Sequence, residues 1–335
     1  MIIFELSKNS LTKILVIYKL SQFKSGNFNL VNNNNEIITS IVNNHMAPIS
    51  IIKIHNEDKF FNNVFYKGEL GLGETYMTGI WSTEHLINFT NTLWLNIEHD
   101  NVSHKNTKYI DYLLYDKKNI TSHYDISNDF YLKFLTDDLN AYTCGFWFNE
   151  FDTLNTAQYN KVNAIIKKMN PIEGSSILDI GCGWGAIANY VANTTNCKVT
   201  GITISDEQCK HVGIIYDKSK VNIINLDYRL LSQKFDYLYS IGMFEHVRYE
   251  NYDTFFKIIK KCLNPGGKFV LHTIISFTIN DPNDYDYNTF INTYIFPGGQ
   301  IPNNDWILSK IKNNGLNVIH FEGYGGQHYA KTLAS

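Results

Sequence analysis

Gly181, Gly183 and Gly185 come directly after a short apolar run, Ser176, Ile177, Leu178 and Ile180, with an acid, Asp179, set into its end. An apolar run that stops abruptly in glycines reads as a buried parallel strand entering a tight turn. Glycines remove the Cβ atoms that would keep backbone N–H groups away from a ligand. The helix predicted from 186 onward, AIANYVA, turns its N-terminus toward the same place. The pattern is a cradle for a cofactor. Gly181, Gly183 and Ala186 also satisfy G-x-G-x-x-A, the dinucleotide fingerprint, and a plain turn with no ligand is the bland alternative. A dinucleotide site, however, needs an acid about 20 residues beyond the first glycine, at the end of the next strand, where this chain carries Thr203. A carboxylate at the first turn suits a cation, and the common nucleotide cofactor with a positive centre is S-adenosylmethionine.

Further residues able to do chemistry sit at the ends of the strands that follow. Thr203 and Gln208 close KVTGIT, Asp227 and Tyr228 close VNIINL, Glu245 and His246 follow FDYLYSIG, and His272 lies in KFVLHTII. A lone histidine within a strand is usually a satisfied core residue; several polar residues at one rim are harder to dismiss. The elements that must position them alternate. An amphipathic helix over 153–169 precedes the glycine turn; helices over 205–216, 252–263 and 306–312 then separate the strands, and LNVIHF at 316–321 reads as a sixth strand. Such alternation predicts an α/β fold with a doubly wound, mostly parallel sheet and ligands at the strands' carboxyl ends.

The chain is 335 residues long, enough for two domains and a substantial core. Its 29 basic and 32 acidic residues nearly balance, so nucleic-acid binding by bulk electrostatics is not indicated. Cys144, Cys182, Cys197, Cys209 and Cys262 are scattered in no metal spacing, which predicts reduced thiols and no metal site. No apolar run approaches the ~18 residues of a membrane span, and the chain reads as a soluble, cytoplasmic protein. Residues 1–96 have the texture of a small α+β domain, with a helix over 86–95 and a glycine-broken loop, GELGLGETYM, over 68–77. Residues 97–122 are polar and predict a linker, and 123–335 form the second domain, opened by a helix bearing Tyr124, Phe130, Tyr131 and Phe134.

HYDISNDFY, AYTCGFW, SILDIGCGWG, GITISDEQ, DYRLL, SIGMFEHV, LHTI and YIFPGGQIP, with GLGETYM in the first domain, resemble the cyclopropane-fatty-acyl-phospholipid synthases and the related mycolic-acid cyclopropane synthases. The resemblance covers about 66–333. It implies a seven-stranded, Rossmann-like class I methyltransferase sheet of order 3-2-1-4-5-7-6, with S-adenosylmethionine as cofactor. It further implies an unsaturated phospholipid acyl chain as substrate, met at a membrane surface by a peripheral enzyme with no nucleic-acid partner, and a homodimer is compatible with it. By the resemblance Tyr142, Thr143, Gly181, Gly183, Thr203, Ile204, Gln208, Asp227, Tyr228 and Arg229 would hold the cofactor. Cys144, Glu245 and His272, with the backbone near Ile274, would hold a bicarbonate ion.

Those residue types fit the implied chemistry. An isolated cis double bond is a weak nucleophile, so the methyl donor must be held at near-attack distance and water excluded. Aromatic faces stabilise the resulting carbocation, and Tyr124, Tyr142, Phe146, Phe148 and Phe244 are the candidates. Closing a cyclopropane needs a small base, the role the resemblance gives to bicarbonate held by Glu245 and His272. Nothing near Cys144 in sequence would lower its pKa, which argues against a nucleophile. Against the family pattern, a helix, a last strand and a tyrosine that completes the bicarbonate site are expected to be missing beyond HYAKTL. The alternatives are branch methylation of a lipid, methylation of a small amine, and a truncated, inactive relative.

Overall fold

The computed structural model describes residues 8–44, 48–96, 133, 135–277, 281–282 and 285–335, with the backbone alone for 211–215. The chain divides into two compact units, Met1–His104 with Asp286–Ile295, and Lys105–Tyr285 with Phe296–Ser335. The predicted linker 97–122 and the predicted helix with Tyr124, Phe130, Tyr131 and Phe134 lie outside the described residues.

The first unit holds α1 (Lys8–Ser21), β1 (Asn27–Val31), β2 (Ile37–Val42), β3 (Ser50–Ile54), α2 (Glu57–Met77), β4 (Trp81–Ser82) and α3 (Leu86–Asn96). Its sheet has the order β2-β1-β3-β4, with β1 and β3 parallel and the outer pairings antiparallel. Alternation along the strands points Phe28, Leu30, Ile52 and Ile54 inward, against Phe60 and Phe61 of α2 and Phe89 of α3. The Asn56 side chain caps α2 by accepting from the Lys59 N–H at 3.0 Å. GELGLGETYM, predicted as a loop, is the second half of this helix. Gly68 kinks it with φ 55° and ψ −128°, and the helix then continues to Met77, because Leu72 and Thr75 pack inward and the Leu72 carbonyl takes the Trp81 indole N–H at 3.0 Å.

The second unit holds α4 (Leu154–Met169), β5 (Ser176–Ile180), α5 (Ala186–Thr195), β6 (Lys198–Thr203), α6 (Asp206–Ile215), β7 (Val221–Asn225), β8 (Phe235–Ile241), α7 (Tyr252–Cys262), β9 (Leu263–His272), α8 (Asn304–Asn313) and α9 (Gly326–Ala334). The five strands are parallel throughout, in the order β7-β6-β5-β8-β9, which is the 3-2-1-4-5 part of the expected sheet. Each central strand is covered on both faces. Val162, Ile165 and Met169 of α4 with Val191 of α5 pack on one side, and Phe255, Phe256 and Ile259 of α7 on the other. The topological switch lies between β5 and β6 on one side and β8 on the other, so the glycine turn opens at the crevice where doubly wound sheets bind ligands.

Residues 316–321 do not form the predicted sixth strand. They make no ladder, and Val318, Ile319 and Phe321 are exposed. The apolar alternation is real, but a strand exists only where a neighbour satisfies its backbone, and among the described residues the outer side of β9 carries no further strand. Among the described residues, no helix is long and apolar enough to cross a membrane.

Candidate active site

A cleft opens at the carboxyl ends of β5, β6, β7 and β8. Its wall includes Tyr142, Thr143, Gly181, Gly183, Thr203, Ile204, Gln208, Asp227, Tyr228 and Arg229, together with Trp184, Met243 and His246. The glycine turn is forced by geometry. Gly181 has φ 83° and Gly183 φ 54°, and a Cβ on Gly181 would come within 2.8 Å of the Met243 side chain, so the turn and the loop after β8 approach at backbone distance. Across the cleft the Thr203 hydroxyl donates to Gln208 Oε1 at 2.7 Å, which fixes the end of β6. Asp227 caps the short turn Tyr228–Leu230. Its carboxylate takes the Arg229 guanidinium, Nε on Oδ1 at 2.9 Å and Nη2 on Oδ2 at 2.6 Å, so the acid is held rigid at the cleft wall.

Asp179 is corrected by the structure. It does not line the cleft; it is buried between strands and accepts the Tyr239 hydroxyl at 2.8 Å from β8. Burial raises its pKa to about 7. An acid inside a strand end points to whichever face the pleat dictates, and here the pleat turns it to the face of Ile177 and Tyr239, which α4 and α5 cover. Phe244, an aromatic candidate for the reaction, is likewise fully buried, packed on Tyr252, Phe255 and Phe256 beneath the site.

Glu245 and His272 come together. Ile241 of β8 pairs with His272 of β9, and the Gly242 N–H donates to the His272 carbonyl at 3.0 Å. The chain then turns through Phe244–His246 so that Glu245 Oε1 accepts the Ile274 N–H at 2.7 Å, two residues beyond His272. The Gln300 N–H donates to the Glu245 carbonyl at 2.8 Å and braces this turn from behind. What remains is unusual. Glu245 Oε2 and His272 Nδ1 are both buried and neither has a hydrogen-bond partner. Burial raises the Glu245 pKa and drives that of His272 down to about 3, so the imidazole is neutral near neutral pH.

Cys144 enters from the segment before α4. Gln158 Nε2 donates to the Thr143 carbonyl at 2.9 Å, the Phe146 N–H to the Ala157 carbonyl at 2.8 Å, and Asn160 Nδ2 to the Phe146 carbonyl at 3.1 Å, so the first turns of α4 clamp 141–146 in place. Burial raises the Cys144 thiol pKa, consistent with a neutral group rather than a nucleophile. Phe146 lies with its centroid 5.6 Å from the His272 ring and stacks on Tyr324 at 3.9 Å, while Phe148 is more than half exposed at the margin.

The C-terminal helix α9 supplies residues the sequence reading missed. Thr332 Oγ1 accepts both the Gly145 N–H and the Trp147 indole N–H at 3.0 Å, and His328 Nδ1 accepts the Trp147 N–H at 2.9 Å. One turn position away, Tyr329 interacts electrostatically with Tyr142, Cys144 and Glu245, and its pKa is pushed up to about 12, chiefly by burial. Tyr329 stands within HYAKTL, ahead of the stretch in which a tyrosine was expected to be missing, and brings a phenol to the neighbourhood of Cys144 and Glu245. The available signal was the spacing of His328, Tyr329 and Thr332 within HYAKTL, which presents these groups from a single helix.

A family model described as mycolic acid cyclopropane synthetase matches residues 113–335. The chain belongs to this family. It is 39% identical over 280 residues to the cyclopropane-fatty-acyl-phospholipid synthase of Escherichia coli strain K12, covering 80% of this chain and 71% of that protein. The solved cyclopropane synthase MmaA2 from Mycobacterium tuberculosis superposes with a TM-score of 0.59 at 29% identity, covering 65% of this chain and 80% of that one. Mycolic acid cyclopropane synthase CmaA1, solved with SAH and CTAB, gives the same TM-score at 30% identity, with 65% and 80% covered. As a member of the cyclopropane synthetase family, the protein is an S-adenosylmethionine-dependent methyltransferase.

Proposed function

We propose that this methyltransferase adds the methyl group of S-adenosylmethionine to a cis double bond of an unsaturated phospholipid acyl chain and closes a cyclopropane ring, with bicarbonate as the base. The observation that carries the reading is the pair of orphaned buried atoms, Glu245 Oε2 and His272 Nδ1, on the segments beyond β8 and at the end of β9 that the Ile241–His272 pairing and the Ile274–Glu245 hydrogen bond tie together. Buried polar atoms without partners are costly, at about 1–3 kcal/mol each, and a small polar ligand removes the penalty. The relatives' names add the substrate class. The E. coli relative is named for fatty-acyl phospholipids and the mycobacterial ones for mycolic acids.

The residues present fit both groups. The glycine turn brings backbone to the cleft without side chains, and the Tyr142, Thr203, Gln208 and Asp227 side chains surround it, a donor and acceptor set suited to a nucleoside. Glu245, His272, Cys144 and Tyr329 offer acceptor, imidazole, thiol and phenol groups suited to a hydrogen-bonded carboxylate-like ion. When bound, the cofactor would supply an electrophilic methyl, and bicarbonate a base small enough to sit beside a carbocation and, with its charge delocalised and hydrogen-bonded, a poor nucleophile toward it.

The chain's own side chains do the rest. Tyr142 lines the cleft and Phe146 lies beside the His272 ring, and a desolvated aromatic face stabilises a nearby cation by roughly 0.5–2 kcal/mol. Phe146, locked between Tyr324 and His272, excludes water from the place where the cation forms. Tyr329 and Cys144, both kept protonated, remain donors, and Glu245 Oε2 is positioned to accept a proton-bearing oxygen. Because such a substrate resides in a bilayer, the enzyme works at a membrane surface in transient contact.

The test is incubation with labelled cofactor and vesicles of monounsaturated phospholipid, in carbonate-free buffer and again with added bicarbonate. Mass spectrometry of the released fatty acids should find a gain of one CH2 with the alkene consumed and no new alkene formed, stimulated by bicarbonate. The Glu245→Gln variant should lose most turnover and the stimulation while keeping cofactor affinity. A branched or unsaturated product would replace cyclopropanation by branch methylation, and a turnover indifferent to both bicarbonate and Glu245 would reject the base assignment.

A further inference from the structure

Lys161 is wholly enclosed, with 0% of its surface exposed, about two turns into α4 on its buried face. Its ammonium donates to Thr143 Oγ1 and to Gln158 Oε1, each at 2.5 Å, and both acceptors are neutral. Among the described residues no carboxylate forms an ion pair with it. A fold keeps a buried ammonium of this kind at a considerable cost in desolvation.

Two periodicities place it. On β9, Lys268, Val270 and His272 alternate toward α4: Lys268 Nζ donates to the Met169 carbonyl at 3.1 Å, and Val270 packs against the core cluster to which Val162 and Ile165 belong. The end of α4 thus lies by the start of β9, and its early turns lie by His272. Gln158 and Lys161, three residues apart on one helix face, therefore sit under the meeting of the Cys144 segment with the end of β9. The charge of Lys161 is felt on both flanks, lowering the pKa of His272 and opposing the rise at Cys144.

We propose that Lys161 is the buried counter-charge of the oxyanion opening bounded by Cys144, Glu245 and His272, a positioning residue that holds a small anion there without touching it. The inference rests on the bicarbonate reading of that opening. Among the described residues, the other groups named at the opening supply hydrogen bonds without positive charge: His272 is neutral, Cys144 and Tyr329 stay protonated, and Glu245 is an acid. An anion entering a desolvated site needs a cation within range, and Lys161 supplies it. The titratable groups facing Lys161 are Asp137 and Cys144 from the segment before α4, and His272 from β9. The Asp137 carboxylate is occupied in taking the Leu139 and Ala141 N–H groups. Burial lowers the Lys161 pKa to about 7, so the anion and a proton on Lys161 bind together.

The experiment titrates 13C-bicarbonate into the full chain saturated with S-adenosylhomocysteine and reads the dissociation constant from NMR line broadening between pH 6.5 and 9, at matched bicarbonate-ion concentrations. Wild-type affinity should weaken about tenfold per pH unit above 7, as one linked proton requires. Lys161→Met should bind at least tenfold more weakly at pH 6.5 and lose the pH dependence, while its S-adenosylhomocysteine affinity stays within about threefold. Unchanged bicarbonate binding by the variant, or a flat wild-type pH series, overturns the proposal; the wild-type series decides alone should the variant fail to fold. Formate separates this failure from that of the base assignment. If wild type binds formate with the Lys161 dependence but not bicarbonate, the counter-charge stands and the bicarbonate reading falls; binding of neither ion removes both.

Discussion

Gly242→Ala should force apart the two segments that assemble the site, by about the width of a methyl group. Gly242 directly follows β8 with φ 63°, and a Cβ there would lie 2.2 Å from Thr143 Cγ2. Carbon atoms normally rest about 3.5–4.0 Å apart, so Thr143 must retreat by roughly 1.3 Å or more. The left-handed backbone adds about 1–2 kcal/mol of strain and the overpacking about 1–3 kcal/mol, giving a loss of roughly 2–5 kcal/mol. Thr143 lines the cofactor cleft and Cys144 follows it, so affinity for S-adenosylhomocysteine should fall along with stability. Thr143→Ser removes only the offending methyl, at most ~0.8 kcal/mol, and keeps the hydroxyl that accepts from Lys161. The double variant should therefore retain the backbone strain but recover the overlap, a favourable coupling of about 1–3 kcal/mol. Urea unfolding and calorimetric S-adenosylhomocysteine binding of the four proteins measure the cycle. Costs that add to within about 0.5 kcal/mol would refute the close approach of these segments.

Two further outcomes follow from named contacts. Asp179 has a folded pKa of about 7 against an unfolded value near 3.8, so its stabilising contribution is complete below about pH 4 and is lost as pH rises toward 7. Wild type should lose ~1.4 kcal/mol per pH unit across that window, an upper limit of about 4 kcal/mol, relative to Asp179→Asn; parallel pH–stability curves for the two proteins would contradict it. Thr332→Val leaves the Gly145 N–H and the Trp147 indole without their acceptor, which should cost about 1–2 kcal/mol and alter Trp147 fluorescence. An unaltered emission spectrum with unaltered stability would mean that α9 does not dock through this hydroxyl.

The parts of this protein whose causes are local can be read from the chain before it folds. A strand ending in glycines, helices at a 3.6 period and strands between them are written in neighbouring residues, so the parallel sheet, the cleft at its rim and the segments that line it were all legible. GELGLGETYM was not, because a glycine break looks the same whether the chain then loops or resumes a helix under tertiary packing. Which face the pleat of β5 gives Asp179, and so whether that acid meets a ligand or Tyr239, was set by the packing of the sheet. The tertiary structure also decided that residues 316–321, patterned as a strand, have no ladder to join. Lys161 was invisible for the same reason, and the spacing within HYAKTL did not say what Tyr329 would meet: each lies far along the chain from Glu245 and His272, and only folding brings a buried charge and a phenol to that opening. Periodicity is a property of adjacent residues, whereas burial, desolvation and the sign of a nearby charge belong to whatever the fold packs alongside.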